Sequence, residues 1–226
     1  MESFPTDWQT ALVLVAHPDD PEYGMAAAVD RWTSEGKRVV YALASSGEQG
    51  IEGMPPAEAG PLREAEQRAS AAIVGVGVVE FWGFPDSDIR NTPELRQRIT
   101  QCIEDVAPQV ILSLYGGPEW APGAPNQRDH MEFSAAVLDA YDALDPTLRP
   151  AWLFENGPHP THGVDVGEHV DAAVASLAAH EKYLSVLDPD TPVIDQARQQ
   201  VDMMTPVRDD FGGCRAACFE LKRSAP

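Results

Sequence analysis

Short apolar runs alternate along the chain with stretches whose apolar positions recur at helical spacing. The first run is Ala11 to Ala16, ALVLVA. A polar turn follows, then AAAVDRWTSEG, a helical pattern with Gly36 as its stop. RVVYALAS predicts a second buried strand, and LREAEQRASAAIVGV predicts a helix leading into the strand VVEFWGF. In TPELRQRITQCIEDVAP, Thr92 is the expected N-cap and Pro93 the first helical residue. QVILSLY predicts another strand, and Asp129 is the expected N-cap of the helix in DHMEFSAAVLDAYDAL. AWLFEN is a strand, and GEHVDAAVASLAAHEKYLSVL reads as one long helix near the end.

Strands alternating with helices imply βαβ units and a mainly parallel sheet. Right-handed crossovers put the loops after the strands along one edge, where ligands bind in open sheets. The expectation is therefore an α/β, Rossmann-like fold with helices on both faces and a site at the carboxyl ends of the strands. Neither a repeat nor a composition break divides the chain, so residues 1–226 are expected to form a single domain. The loops Gly47 to Pro61 and Gly116 to Gln127 are rich in Gly and Pro and long for connections. They are expected to set specificity, the first as a candidate lid.

Composition narrows the partners. A net charge of −20 argues against nucleic acid and against an anionic membrane surface. No run approaches the ~18 to 20 apolar residues of a membrane span, and MESFPTDWQT has no leader-like pattern. A soluble cytoplasmic protein acting on a small molecule is expected. Cys102, Cys214 and Cys218 form no disulfide framework, which fits a reducing compartment. Cys214 and Cys218 have the spacing of half a metal site, without a second Cys/His pair beside them.

The chemistry concentrates in AHPDDPEYG, where the first strand runs into His17, Asp19, Asp20 and Glu22. A polar turn is the bland explanation. His17 and Asp20 are close enough for one turn to aim both at one point, and His130, in another strand-end loop, is the best third partner. Two histidines and one carboxylate with an open position make a hydrolytic zinc site. Asp19, between the ligands, can then act as base on a water whose pKa the ion lowers from ~15.7 towards ~7. The same trio fits a non-haem iron(II) triad, though those occur on β-barrels rather than alternating α/β chains. GVGVVE precedes a strand and so is no dinucleotide fingerprint. His169 and His180 fall near one face of the late helix, where packing is their expected use. Trp82 and Trp120 flank the candidate loops and could wall a sugar face or simply fill core.

AHPDDPEYG, SSGEQG, LREAEQ, FPDSDI and RDHMEFSAAVLDA stand in the order and at roughly the spacing of the PIG-L (LmbE-like) family of zinc-dependent N-acetylglucosaminyl deacetylases. The chain resembles that family over nearly its whole length, the late VDVGEHVDAAVASLAAH included. The resemblance implies Zn²⁺ held by His17, Asp20 and His130, with Asp19 as general base. It also implies that Glu48, Arg63 and Asp86 face the substrate. One departure stands out: where the family has HPDH, this chain has Gln127, Arg128, Asp129 and His130. The replaced histidine is the family's carbonyl polariser or acid, and the aspartate matching Asp129 orients it. Gln127 can donate a hydrogen bond to an oxyanion but cannot supply a proton. Asp19 then serves as both base and acid, or His159 or His162 substitutes, or the protein is a weak or purely binding relative. The function implied is removal of an acyl group, acetyl in the family's N-acetylated substrates, from the amine of an N-acetylated amino sugar or conjugate. An amidase of a thiol–sugar conjugate is the alternative, and homo-oligomers are compatible with such folds.

Overall fold

The computed structural model describes residues 1–225. The strands are β1 (Glu2–Ser3), β2 (Thr10–Val15), β3 (Arg38–Leu43), β4 (Val78–Phe81), β5 (Val110–Leu114), β6 (Glu119–Ala121), β7 (Ala124–Pro125), β8 (Trp152–Asn156), β9 (His162–Asp165), β10 (Val207–Arg208) and β11 (Cys214–Ser224). The helices are α1 (Ala26–Ser34), α2 (Pro56–Ile73), α3 (Pro93–Val106), α4 (Arg128–Ala143), α5 (Val170–Ala178), α6 (Glu181–Leu187) and α7 (Val193–Met204).

The main sheet runs in the order β1-β9-β11-β8-β5-β2-β3-β4, with β10 beside β11. The five strands from β8 to β4 are parallel throughout. β2 sits at their centre, and Ala11 to Val15 are buried, as a strand covered on both faces must be. From β2 the chain steps outward through α1 and α2 to β3 and β4. It then returns through α3 to β5 on the other side of β2, and through α4 to β8. Right-handed crossovers in opposite directions put α1 and α2 on one face and α3 and α4 on the other. α3 packs on α4, while α5 packs on α1, α2 and α7. The order thus reverses between β2 and β5, and the crevice beyond their carboxyl ends is the switch point where such sheets bind ligands.

The Thr92 N-cap and Pro93 start of α3 are as expected: Thr92 Oγ1 accepts from the Leu95 amide at 3.3 Å. Four expectations change. α2 begins at Pro56, with Pro61 inside it, so the long loop after β3 is shorter than its composition suggested. Gln127, not Asp129, is the N-cap of α4, which moves Asp129 into the buried first turn. The late helix is broken into α5 and α6, with Ala179 and His180 at the break. Beyond it lie α7 and β11, and β11 runs antiparallel to both β8 and β9, making the sheet mixed. Cys214 and Cys218 both lie in β11, roughly 13 Å apart along the strand, too far to share an ion.

Candidate metal centre

His17 and Asp20 follow β2 directly, and His130 lies in the first turn of α4, which follows β5. The switch point therefore brings together side chains more than a hundred positions apart. His17, Asp20 and His130 offer ligand atoms within 4.8 Å of one another, and all three residues are buried. The two imidazole centroids are 5.4 Å apart.

Each donor is held from behind. Asp20 Oδ2 accepts the amides of Ala16 at 3.1 Å and His17 at 2.7 Å, which leaves Oδ1 free to face His130 Nε2 at 3.1 Å. His130 Nδ1 lies 3.3 Å from Asn126 Oδ1, so the ring proton belongs on Nδ1 and the lone pair on Nε2. That Nε2 is fully buried and makes no hydrogen bond. A buried ring nitrogen facing a buried carboxylate oxygen at close range, outside hydrogen-bond geometry, is what a site built for a cation leaves behind. On His17, Nε2 faces Asp86 Oδ1 and Asp129 Oδ2, each at 3.3 Å, and Nδ1 lies on the Asp20 side at 3.6 Å. An Nε2 proton given to either carboxylate leaves the Nδ1 lone pair for a metal. His17, Asp86 and Asp129 also lie close enough to form a second candidate donor group. The flanking carboxylates fit an orienting role equally well, as carboxylate–histidine pairs do in metal sites. Without an ion, burial works against charge on His17. Its bonds to Asp129, Asp20 and Asp86 outweigh that and raise its pKa well above the ordinary value. Burial likewise opposes charge on Asp20, but His130 and His17 hold its carboxyl far below the usual range.

Asp19 is the strained member. Its φ of 82° lies in the left-handed region, and such backbone strain clusters at functional sites. Gln67 fixes the strained residue: Oε1 accepts the Asp19 amide at 2.7 Å, and Nε2 donates to Glu22 at 3.1 Å. Glu22 in turn sits 3.3 Å from the fully buried His180. Arg63 Nη2 pairs with Asp19 Oδ1 at 3.3 Å and donates to Pro18 O at 2.7 Å, while Nη1 donates to Gly47 O at 3.0 Å. Gly47 is required here, since its φ is +61° and a Cβ would collide with the guanidinium. The other face of Arg63 lies 4.2 Å over the Tyr183 ring. Burial, opposed by Arg63, pushes the Asp19 carboxyl up to about 6.

The cluster opens into a cavity of about 670 Å³, within the usual range for small-molecule sites. Asp19, Arg63, Asp86 and Gln127 line it, and so does Trp120. Other sequence-derived candidates fall elsewhere. Glu48 does not line the cavity. Its Oε1 accepts the Asp86 amide at 2.9 Å while Asp86 Oδ2 accepts the Gln49 amide at 2.7 Å, a reciprocal latch between two strand-end loops. His162 is also outside the lining: strand pairing with β1 and β11 holds it against Phe154 at 5.1 Å. His159 is not among the lining residues, and His169 pairs with Asp30 at 2.7 Å. Trp82 packs on Phe133 instead of lining the cavity. Sequence reasoning passed over Asn126. Its Oδ1 takes in Trp120 Nε1, the Gln127 amide and His130 Nδ1, and its Nδ2 donates to the Tyr115 and Gly117 carbonyls. An amide side chain one turn ahead of a candidate ligand histidine was the available signal.

Fold and donor cluster together define an α/β protein with a candidate metal centre at the switch point of a doubly wound sheet. Residues 12–141 match the family described as PIG-L, GlcNAc-PI de-N-acetylase, and the chain belongs to that family. A probable N-acetyl-α-D-glucosaminyl L-malate deacetylase 2 from Bacillus anthracis is 27% identical over 211 residues, covering 86% of this chain and 88% of its own. The diacetylchitobiose deacetylase of Thermococcus kodakarensis is 29% identical over 192 residues, covering 77% of this chain and 70% of its own. Among solved structures, the N,N'-diacetylchitobiose deacetylase of Pyrococcus horikoshii superposes with a TM-score of 0.81 at 17% identity, over 96% of this chain and 84% of that one. The 4-carboxy-2-hydroxymuconate hydratase GalB of Pseudomonas putida shares the fold at a TM-score of 0.69 and 20% identity, over 96% of this chain and 98% of that one. The scaffold thus accommodates more than one chemistry, and the reaction has to be argued from the site.

Proposed function

We propose that residues 1–226 form one LmbE-like deacetylase domain, a cytoplasmic zinc-dependent hydrolase that removes acetyl from the amine of an N-acetylated amino sugar or its conjugate. The observation that carries this reading is the buried, unbonded His130 Nε2 facing Asp20 Oδ1 at 3.1 Å, in a chain of this family. His17, Asp20 and His130 would hold the ion. When bound, zinc supplies Lewis acidity towards the amide carbonyl and acidifies water at the site.

The remaining work belongs to the chain's own residues. Asp19 takes the proton from the attacking water. Its carboxyl, which burial against Arg63 brings to about 6, suits an acceptor that must hand that proton on. The leaving amine then receives the proton from Asp19, the acid nearest the reacting atoms. Arg63 and Gln67 keep Asp19 aimed. Gln127, exposed at the cavity edge ahead of α4, donates to the carbonyl oxygen as charge develops there. Asp129 and Asp86 orient His17, and Asp86 also faces the cavity, where it can accept from sugar hydroxyls. Glutamine in place of the family's histidine favours a slower enzyme, since one lost oxyanion donor costs on the order of 10²- to 10³-fold.

The test is acetate release from N-acetylglucosamine glycosides by the zinc-loaded protein, with Asp19→Ala beside it. The variant is expected to keep parental zinc content and lose roughly 10²- to 10⁴-fold in turnover. Hydrolysis by Asp19→Ala at the parental rate contradicts the role of Asp19. No acetate from any glycoside contradicts the deacetylase reading.

A further inference from the structure

The cavity extends well past the donor cluster. Its lining also includes the apolar and aromatic side chains of Tyr23, Leu114, Trp120, Tyr183, Met203 and Met204. Tyr23, Gln200 and Met203 also border a second hollow of about 350 Å³, which Leu177, Leu184 and Leu187 continue between α5, α6 and α7. The two spaces therefore adjoin, with Tyr23, Gln200 and Met203 as their common wall. An acetylated sugar ring fills only the part nearest the donor cluster. Met203 and Leu187 stand 65% and 57% exposed and both line the second hollow, so two exposed apolar side chains meet at one concave site.

Charge around the two spaces points the same way. Arg63 is the one Lys or Arg among the residues lining either space, and Asp19 and two carbonyls already engage it. Asp188, the charged residue lining the outer hollow, is acidic, and the whole chain carries −20. A carboxylate or phosphate on the outer part of a substrate would find no counter-charge there and a repelling field on approach.

We propose that the substrate is an N-acylated amino sugar bearing an extended uncharged apolar group that runs over Met203 into the hollow between α5, α6 and α7. This rests on the deacetylase reading for the inner part of the site. The apolar group can hang from the anomeric oxygen or replace the acetyl on nitrogen. Both sources present the same chemistry to Met203 and Leu187.

The experiment is calorimetry on the zinc-loaded Asp19→Asn protein, in which ligands stay intact. The probes are the methyl, hexyl and 5-carboxypentyl glycosides of N-acetylglucosamine, together with N-hexanoylglucosamine. A fully buried methylene adds roughly fourfold in affinity, so a partly open groove is expected to favour a hexyl-bearing ligand over the methyl glycoside by at least about tenfold. The carboxypentyl glycoside is expected to show no such gain. The hexyl glycoside against the N-hexanoyl sugar tells which end bears the apolar group. In the same background, Met203→Glu and Leu187→Glu, both at exposed positions, are expected to reduce the hexyl-to-methyl ratio several-fold. Equal affinity for methyl and hexyl ligands, preference for the carboxylate, or a hexyl gain that survives both substitutions overturns the proposal. Acetate release by the parent protein reads the inner site separately: its absence contradicts the deacetylase reading, while the affinity ratios still decide the apolar extension.

Discussion

Asn126 shows how much one uncharged side chain can organise. It closes the Gly116 to Gln127 loop onto itself through two carbonyls and fixes the ring of His130 through Nδ1. Its loss leaves that ring free to turn Nε2 away from Asp20. Asn126→Ala is therefore expected to weaken zinc binding by about 10- to 100-fold, read by competition against a chelator of known affinity. Unchanged affinity would remove Asn126 from the account. His17, Asp20 and His130 stood out in the sequence because they lie where strands end and helices begin, and the structure brings them together. Asn126 and Gln67 did not stand out, because an amide in a loop or on a helix looks like ordinary surface until its partners are in place. Glu48 and His162 lie outside the cavity lining. Both are polar residues beside the right loops, yet the first spends its carboxylate on the Asp86 amide and the second is taken up by strand pairing.

Helices and strands carry these side chains to the switch point, and α4 matters most. Ser134 Oγ, one turn beyond His130, donates to Glu155 Oε1 at 2.5 Å and ties α4 to β8. Glu155 is buried and otherwise has Lys222 at 3.5 Å and the Gly116 amide at the same distance. Ser134→Ala leaves that oxygen short of a partner, so a loss of about 1 to 3 kcal/mol is expected. Urea unfolding checks it as a lower midpoint at an unchanged slope. A midpoint equal to the parent's would mean that the bond adds nothing. Strands β2, β3, β4, β5 and β8 were legible because each is an apolar run bounded by turn residues. β11 and α7 were missed. β11 is only partly buried along its length, so its period is weak, whereas α7 carries Val193, Ala197, Val201 and Met204 at helical spacing, a signal that was present in the sequence. The break between α5 and α6 escaped notice for another reason. At the break His180 lies 3.3 Å from Glu22, a contact made across more than 150 positions of the chain.

Over the chain as a whole, folding and metal binding are expected to be coupled. The unfolded chain has no assembled donor trio, so an ion bound at His17, Asp20 and His130 stabilises the folded state by mass action, about 2.7 kcal/mol at a hundredfold excess over Kd. For a protein of 226 residues that corresponds to a rise in Tm of roughly 5–10 °C on zinc addition, reversed by chelation. Differential scanning calorimetry with and without zinc measures it, and an unmoved Tm at saturating zinc would count against a built site. The described residues contain no helix long and apolar enough to cross a membrane. The net charge of −20 works against anionic ligands on approach.

The central claim is that two imidazoles and a carboxylate from separate crossovers hold one ion. X-ray absorption at the zinc edge, on the zinc-loaded protein beside its His130→Ala variant, tests it directly. The account predicts one zinc per chain with two imidazole ligands and oxygen in the remaining positions, and loss of that signal in His130→Ala. Zinc bound without imidazole, or an unchanged spectrum at parental zinc content in the variant, would contradict it.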